Sequence, residues 1–125
     1  MKTIFCGKKI TGVLSVLPEI ECCFEDEMEN AESIRVQRLK KIMGYGKRRR
    51  AKATTTMSDM FCFALQHAFE HEYLKKDDVG AIVVVTLSPD YFVPQIGNII
   101  HGKFGFSEDV FSIDIAQGCA GYLTG

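Results

Sequence analysis

The 125-residue sequence has no tryptophan, only three prolines, and no apolar run long enough to cross a bilayer. The last of these absences rules out a membrane-spanning helix, and the scarcity of proline rules out a linker-rich chain. Charge of either sign is not in excess: 15 basic residues face 16 acidic ones. Composition therefore calls for neither a nucleic acid nor an anionic membrane as partner. The five cysteines are odd in number and lack Cys-x-x-Cys spacing, which argues against a disulfide framework and a zinc knuckle. Cys22 and Cys23 are adjacent, and neighbours rarely reach disulfide geometry without strain. A reducing cytoplasm is the simplest compartment. The first apolar stretch is broken at Gly7, Lys8 and Lys9, so it lacks the continuous apolar region of a signal peptide.

What is present fits one small α/β domain near the modal domain size. Ile10 to Leu17 reads as a strand closed by Pro18. Glu25 to Met43 is rich in charge, with Met28, Ala31, Ile34, Leu39 and Ile42 partly at helical spacing, which predicts one or two amphipathic helices ended by Gly44 and Gly46. Lys47, Arg48, Arg49 and Arg50 form the one basic run, either a solvated face or a phosphate contact. Thr54, Thr55 and Thr56 offer N-caps for a helix whose Met57, Met60, Phe61, Ala64, Leu65 and Ala68 make a buried stripe. Ala81 to Thr86 is a short β-branched run of the kind buried on both faces of a parallel sheet. Ser88 to Pro94 reads as a loop, Gln95 to Lys103 as a short helix ended by Gly102 and Gly105, and Phe111 to Ala116 as a strand with period-two alternation. Strands alternating with helices imply an α/β sheet.

Two motifs bear on chemistry. His67, Glu70 and His71 match the H-x-x-E-H pattern of inverted zinc peptidases. A catalytic zinc site needs a third protein ligand, and no helical motif surrounds any later carboxylate, so these histidines read as residues near the exposed end of a helix and no metal is expected. The second motif follows the last strand, where Gly118, Cys119, Ala120 and Gly121 place small residues on both sides of one nucleophile. That suits a sharp strand-to-helix turn resembling a nucleophile elbow. A cysteine at a helix N-terminus is favoured as thiolate and has backbone N–H groups nearby to receive an oxyanion. The flanking glycines favour a nucleophile over a small buried hydrophobe.

Asp114 with Gly118, Cys119, Ala120, Gly121 and Tyr122 resembles the active-site stretch of 3-oxoacyl-[acyl-carrier-protein] synthase III, a thiolase-like condensing enzyme family. Ile10 to Pro18 resembles its opening strand and turn, Met43 to Arg48 its Thr-Gly-Ile-x-x-Arg region, and Asp78 to Thr86 its second core strand. The resemblance covers nearly the whole chain and about the first third of a family member. It implies a thiolase-like fold, of which residues 1–125 would be part of the N-terminal half, a layered sheet with flanking helices, truncated just after the nucleophile and lacking a second domain. It further implies a homodimeric acyltransferase of fatty acid biosynthesis with no cofactor. Cys119 would take an acyl group from a coenzyme A or acyl carrier protein thioester and pass it to the enolate formed when malonyl-acyl carrier protein loses carbon dioxide. Arg48 would contact the phosphopantetheine or coenzyme A phosphate, and Phe92 or Val93 would reach the partner subunit's acyl tunnel. The family's decarboxylating His and Asn match nothing here, so this chain alone would not complete the condensation, and an apolar face should stand open where a second half packs. The family's Trp and Arg for the coenzyme A adenine are absent, Ile42 standing at the Arg position, which points toward a different acyl donor or a specialised lipid or surface-polymer pathway.

Two rival readings remain. Gln117 to Gly121 approaches the caspase-type Q-A-C-x-G signature, with His67 and His71 about fifty residues upstream. A binding or assembly module with an inert Cys119 is the non-enzymatic alternative.

Overall fold

The computed structural model describes residues 7, 9–28, 32–44 and 46–125. Cys6, Ala31, Tyr45 and the beginning of the first apolar stretch lie outside the described residues. The fold grows from the apolar stripe that begins at Met57. Helix α3 (Met57–Glu70) starts where the threonines predict: the Thr56 hydroxyl accepts from the Asp59 N–H at 3.2 Å, and the Asp59 carboxylate accepts from the Thr56 N–H at 3.0 Å. This reciprocal capping box satisfies two donors the helix cannot pair itself. Strand β3 (Ala81–Val85), helix α4 (Ile96–Phe104) and strand β4 (Phe111–Ile115) follow. The strands pair in parallel, Ala81 opposite Phe111 through Val85 opposite Ile115.

Both helices cover the same face of this sheet. Cys62 of α3, Val84 of β3, Ile96 and Ile100 of α4, and Phe106 form the buried core, with Met57, Phe61, Leu65 and Phe69 packed around it. The stripe on α3 therefore runs through Cys62 and Phe69 as well as the predicted residues. Helix α4 ends at Gly105, which takes a left-handed conformation at φ +57 while Gly102 lies within the helix.

The expectation that β3 is buried on both faces is corrected. Only Ile82 and Val84 turn toward the helices, and Val83 and Val85 lie on an exposed face. Strand β4 is also polar toward the helices, because Asp114 meets the start of α4 and Ser112 lies against Gly97, while Phe111 and Ile113 join the open face. Apart from the part at Val85 that the C-terminal residues Gly121 and Gly125 lie against, an apolar sheet face thus stands open.

The N-terminal part differs. Strand β1 (Ile20–Cys23) and strand β2 (Lys47–Arg50) pair antiparallel, with helix α1 (Phe24–Glu27) and helix α2 (Ile34–Met43) between them. Of the one or two helices expected here the structure has two, and the basic run, expected as a solvated face or phosphate contact, forms a strand. Ser33 caps α2 by accepting from the Val36 N–H, and Gly44 closes it at φ +68. The predicted strand from Ile10 to Leu17 is corrected: this segment is not a strand, and Ile10, Val13 and Leu17 are exposed. A strand needs a neighbour for its backbone hydrogen bonds, and among the described residues each two-stranded sheet pairs only with itself.

Candidate active site

Cys119 follows the C-terminal end of β4. The chain leaves Ile115, and Gly118 takes φ +57, a left-handed conformation that costs a residue with a Cβ but not glycine. Gly118–Ala120 then form a 3-10 turn that runs directly into helix α5 (Gly121–Thr124). Cys119 sits in the turn, just ahead of the helix proper, with its side chain exposed. The four described cysteines are all free, and Cys62 is buried.

The small residues after Cys119 have a packing reason. A Cβ at Gly121 would lie 2.5 Å from Val85 Cγ1, and one at Gly125 would lie 2.7 Å from Val85 Cγ2. Glycines four apart share a helix face, so α5 lies directly on β3 with no side chain between. That contact sets the height of the turn, and hence of Cys119, above the sheet. Thr124 Oγ1 donates to Gln117 Oε1 at 3.0 Å and ties the helix back to the turn.

Two aspartates finish this edge of the sheet. The Asp114 carboxylate accepts from the Ile96 and Gly97 N–H groups at 2.8 and 2.9 Å, capping α4. A Cβ at Gly97 would fall 2.9 Å from Asp114 Oδ1, so glycine permits the approach. The acidic residue of the Cys119 motif therefore holds a helix. Asp90 accepts from the Met57 and Ser58 N–H groups at 2.8 and 3.1 Å, adding a second carboxylate to the start of α3. Burial works to raise the Asp90 pKa, but hydrogen bonds from Ser58, Met57 and Thr56 outweigh it and hold the carboxyl below its ordinary value. Neither partnership is visible in the sequence, since each joins residues at least 17 positions apart.

Phe92 and Val93 project from the loop between β3 and α4, 94% and 84% exposed. The loop begins beside the cysteine turn, where Leu87 Cδ1 is 3.7 Å from the position a Gly118 Cβ would take. Arg48 lies in β2, paired with Glu27 through an Nε to Oε2 hydrogen bond of 2.7 Å. The rest of the basic run is also paired: Lys47 with Glu21 at 2.8 Å, Arg49 with Glu21 at 3.6 Å and Arg50 with Glu27 at 3.4 Å. Any phosphate bound by Arg48 would have to compete with Glu27.

The histidines sit elsewhere. The His67 and His71 rings lie with centroids 4.0 Å apart, tilted by 37°, and His71 Nδ1 lies 3.0 Å from the His67 carbonyl oxygen. Among the described residues no group of three His, Cys, Asp or Glu side chains is placed to hold a metal. Helix α3 starts at Asp90, beyond the end of β3, while its Phe69 packs on Phe104, ahead of β4, with centroids 5.6 Å apart. The histidines thus lie at the edge where the strands begin and Cys119 at the edge where they end. Five strand residues separate these edges by about 15 Å, too far for the Cys–His hydrogen bond a cysteine peptidase needs.

No family model matches the chain. A putative 3-oxoacyl-[acyl-carrier-protein] synthase 3 from Campylobacter jejuni is 34% identical over 128 aligned positions, covering 100% of this chain and 36% of the relative. A beta-ketoacyl-[acyl-carrier-protein] synthase III from Dinoroseobacter shibae is 28% identical across 94% of this chain and 36% of its own length. The chain thus spans little more than a third of these relatives. Among solved structures, Xanthomonas campestris OleA superposes with a TM-score of 0.74 at 20% identity, over 88% of this chain and 34% of that one. Beta-ketoacyl-[acyl-carrier-protein] synthase III from Thermus thermophilus gives 0.66 at 23% identity, over 87% and 33%. No helix among the described residues is long and apolar enough to cross a membrane. The chain is therefore related over its whole length to the 3-oxoacyl-[acyl-carrier-protein] synthase III proteins and carries part of their thiolase-like fold.

Proposed function

We propose that this chain is the nucleophile-bearing part of a condensing enzyme of the 3-oxoacyl-[acyl-carrier-protein] synthase III type, acting in the cytoplasm in fatty acid or related acyl-chain synthesis. The observation that carries the reading is the exposed Cys119 on a turn held against β3 by Gly121. The Cys119 thiolate attacks the carbonyl of an acyl thioester of coenzyme A or acyl carrier protein. The backbone N–H of Cys119 helps to stabilise the tetrahedral oxyanion. Collapse breaks the donor's C–S bond, the donor leaves as a thiol after taking up a proton, and the acyl group stays on Cys119. Malonyl-acyl carrier protein then loses carbon dioxide, the resulting enolate carbon attacks the acyl carbonyl, and Cys119 is released.

The decarboxylating His and Asn of that family have no counterpart at matching positions here, and His67, His71 and His101 are not substitutes. In this reading a second α/β half supplies them, packs on the open face of β3 and β4, and completes a homodimer in which Phe92 or Val93 reaches the partner's acyl tunnel. The chain by itself would then accept an acyl group but not finish the condensation. Arg48 would take the phosphate of the phosphopantetheine arm in exchange for Glu27. With Ile42 exposed on α2 and no tryptophan present, an acyl donor other than acetyl-coenzyme A fits best.

The test is to incubate the chain with acyl-coenzyme A thioesters of increasing chain length and map the adducts by mass spectrometry. Cys119 should be acylated at least tenfold faster than Cys22 or Cys23. Equal labelling of all three would sink the reading and leave a binding module with an inert cysteine.

A further inference from the structure

The loop joining β3 to α4 carries Leu87, Tyr91, Phe92 and Val93 largely in the open, so burial does little to fix it. Thr86 at its start is held by the strand ladder through its N–H to the Ile115 carbonyl, and the Ser88 N–H is satisfied locally by Thr86 Oγ1. Between these and Gln95, the hydrogen bonds that tie the loop to another element, among the described residues, come from one side chain. Asp90 reaches the first turn of α3, with Oδ1 2.8 Å from the Met57 nitrogen and Oδ2 3.1 Å from the Ser58 nitrogen. Two carboxylate oxygens on two successive N–H groups fix direction as well as distance, and the positive end of a 14-residue helix strengthens both bonds. The third donor of that turn, the Asp59 N–H, is taken by Thr56. The start of α3 is therefore fully occupied from within the molecule, as a latch and not as an open anion site.

We propose that Asp90 is a positioning residue: it latches the loop to α3 and thereby sets where Phe92 and Val93 stand beside the Cys119 turn. Its bearing on acyl-chain selection rests on the condensing-enzyme reading above, whereas the latch itself does not. The carboxylate lies two and three residues from the exposed pair, and the loop's other end meets the cysteine turn at Leu87 and Gly118. Releasing it frees the aromatic tip while the core of Cys62, Val84, Ile96 and Ile100 is untouched.

The experiment compares Asp90→Asn, Asp90→Glu and Asp59→Ala in the 125-residue chain. Asp59→Ala removes the carboxylate that caps the Thr56 N–H and serves as a stability control that leaves the Asp90 contacts with Thr56, Met57 and Ser58 in place. Amide exchange at Met57 and Ser58 reports the latch, heteronuclear NOEs at Phe92 and Val93 report the loop, and exchange at Val84 and Ile100 reports the core. Asp90→Asn should speed exchange at Met57 and Ser58 about tenfold relative to the core and lower the NOEs at Phe92 and Val93. Asp90→Glu, which keeps the charge, should recover most of the protection, and Asp59→Ala should leave the loop NOEs unchanged. Equal loosening of core and latch, or the same loop response to Asp59→Ala, overturns the proposal. On the same samples, the chain-length profile of Cys119 acylation should flatten in Asp90→Asn only. If Cys119 is not acylated in the unaltered chain, the functional reading fails while the exchange and NOE results still decide the latch.

Discussion

Residues 57–125 and residues 20–50 build their structure by opposite means. In the first, a β-α-β unit and the helix before it enclose five buried apolar residues, and polar side chains serve mainly to cap helices. In the second, no residue of α1 or α2 is buried, Ile34 and Ile42 of α2 face solvent, and the antiparallel pair of β1 and β2 is laced by Glu21 and Glu27 against four successive cations. Burial of apolar area is not weakened by charge screening or by protonation, whereas exposed ion pairs are weak and screened. The candidate nucleophile belongs to the apolar region, and the candidate phosphate contact to the ionic one. Geometry at Cys119 should therefore tolerate changes in solution conditions that rearrange the surroundings of Arg48.

The sharpest way to break this contrast is to hollow the core. Ile100 is 1% exposed between α3 and the sheet. Ile100→Ala should cost about 2–5 kcal/mol through lost transfer energy and an unfilled cavity, read as a lower urea midpoint. The α2 signals should shift far less. A smaller effect is expected at the seam beneath Cys119. Gly121→Ala adds a Cβ where only 2.5 Å separates it from Val85 Cγ1, an overpacking of about 1–3 kcal/mol. Val85→Ala in the same chain should recover most of the loss, since it removes the atom in the way. Alkylation of Cys119 should change in the single variant and return in the double. Failure of the double variant to recover would mean that α5 is not set by this contact.

Acid should separate the regions from the other side. Hydrogen bonds from the Thr56 backbone and side chain hold the Asp59 carboxyl below its ordinary value of 3.8, and those on Asp90 outweigh its burial to the same end. A carboxyl with a lowered folded pKa contributes stability that is complete above its unfolded value and disappears as pH falls through the folded one. The first turn of α3 should thus be unaffected from pH 7 down to about pH 4.5 and loosen below the ordinary aspartate range. Exchange at Met57 and Ser58 followed from pH 6 to pH 3, normalised to intrinsic rates, checks this. Loss of protection already at pH 6 would contradict it.

How far these features could be read from residues alone depends on the range of the interaction. The start of α3 at Thr56, the helix from Ile96 and the strands at Ala81 and Phe111 follow from spacing and local caps, and the structure has them within a residue or two. The turn around Cys119 was legible because glycine answers a local steric demand, here φ +57 at Gly118. Partners distant in sequence were not. Asp114 capping α4, Asp90 capping α3 and the pairing of β1 with β2 join residues brought together only by the fold. Ile10 to Leu17 shows the converse: its apolar content has a strand's character, but a strand also needs a neighbour, which a pattern cannot supply. The alternation of β4 was legible but not which face meets the helices, since the start of α4 lies against Ser112 and Asp114.

The smallest effect tests the ionic region itself. Glu27 holds both Arg48 and Arg50 from its place on α1, with an Nη2 to Oε2 contact of 2.5 Å to Arg48 and 3.4 Å from Arg50 Nη1 to Oε1. Surface pairs of this kind contribute about 0–1 kcal/mol each, and here one carboxylate serves two guanidinium groups, so Glu27→Gln should lower stability by no more than about 2 kcal/mol. Its larger consequence is electrostatic, since it leaves two arginines unpaired on one strand. If Arg48 meets the phosphate of an incoming thioester, Glu27→Gln should raise the affinity for coenzyme A by about tenfold at low salt, and 0.5 M sodium chloride, used as a screening condition, should remove most of the gain. Arg48→Ala should abolish it. An affinity that ignores both substitutions would assign the basic strand to holding β1 and α1 together and nothing more, because its cations would then be fully accounted for by Glu21 and Glu27.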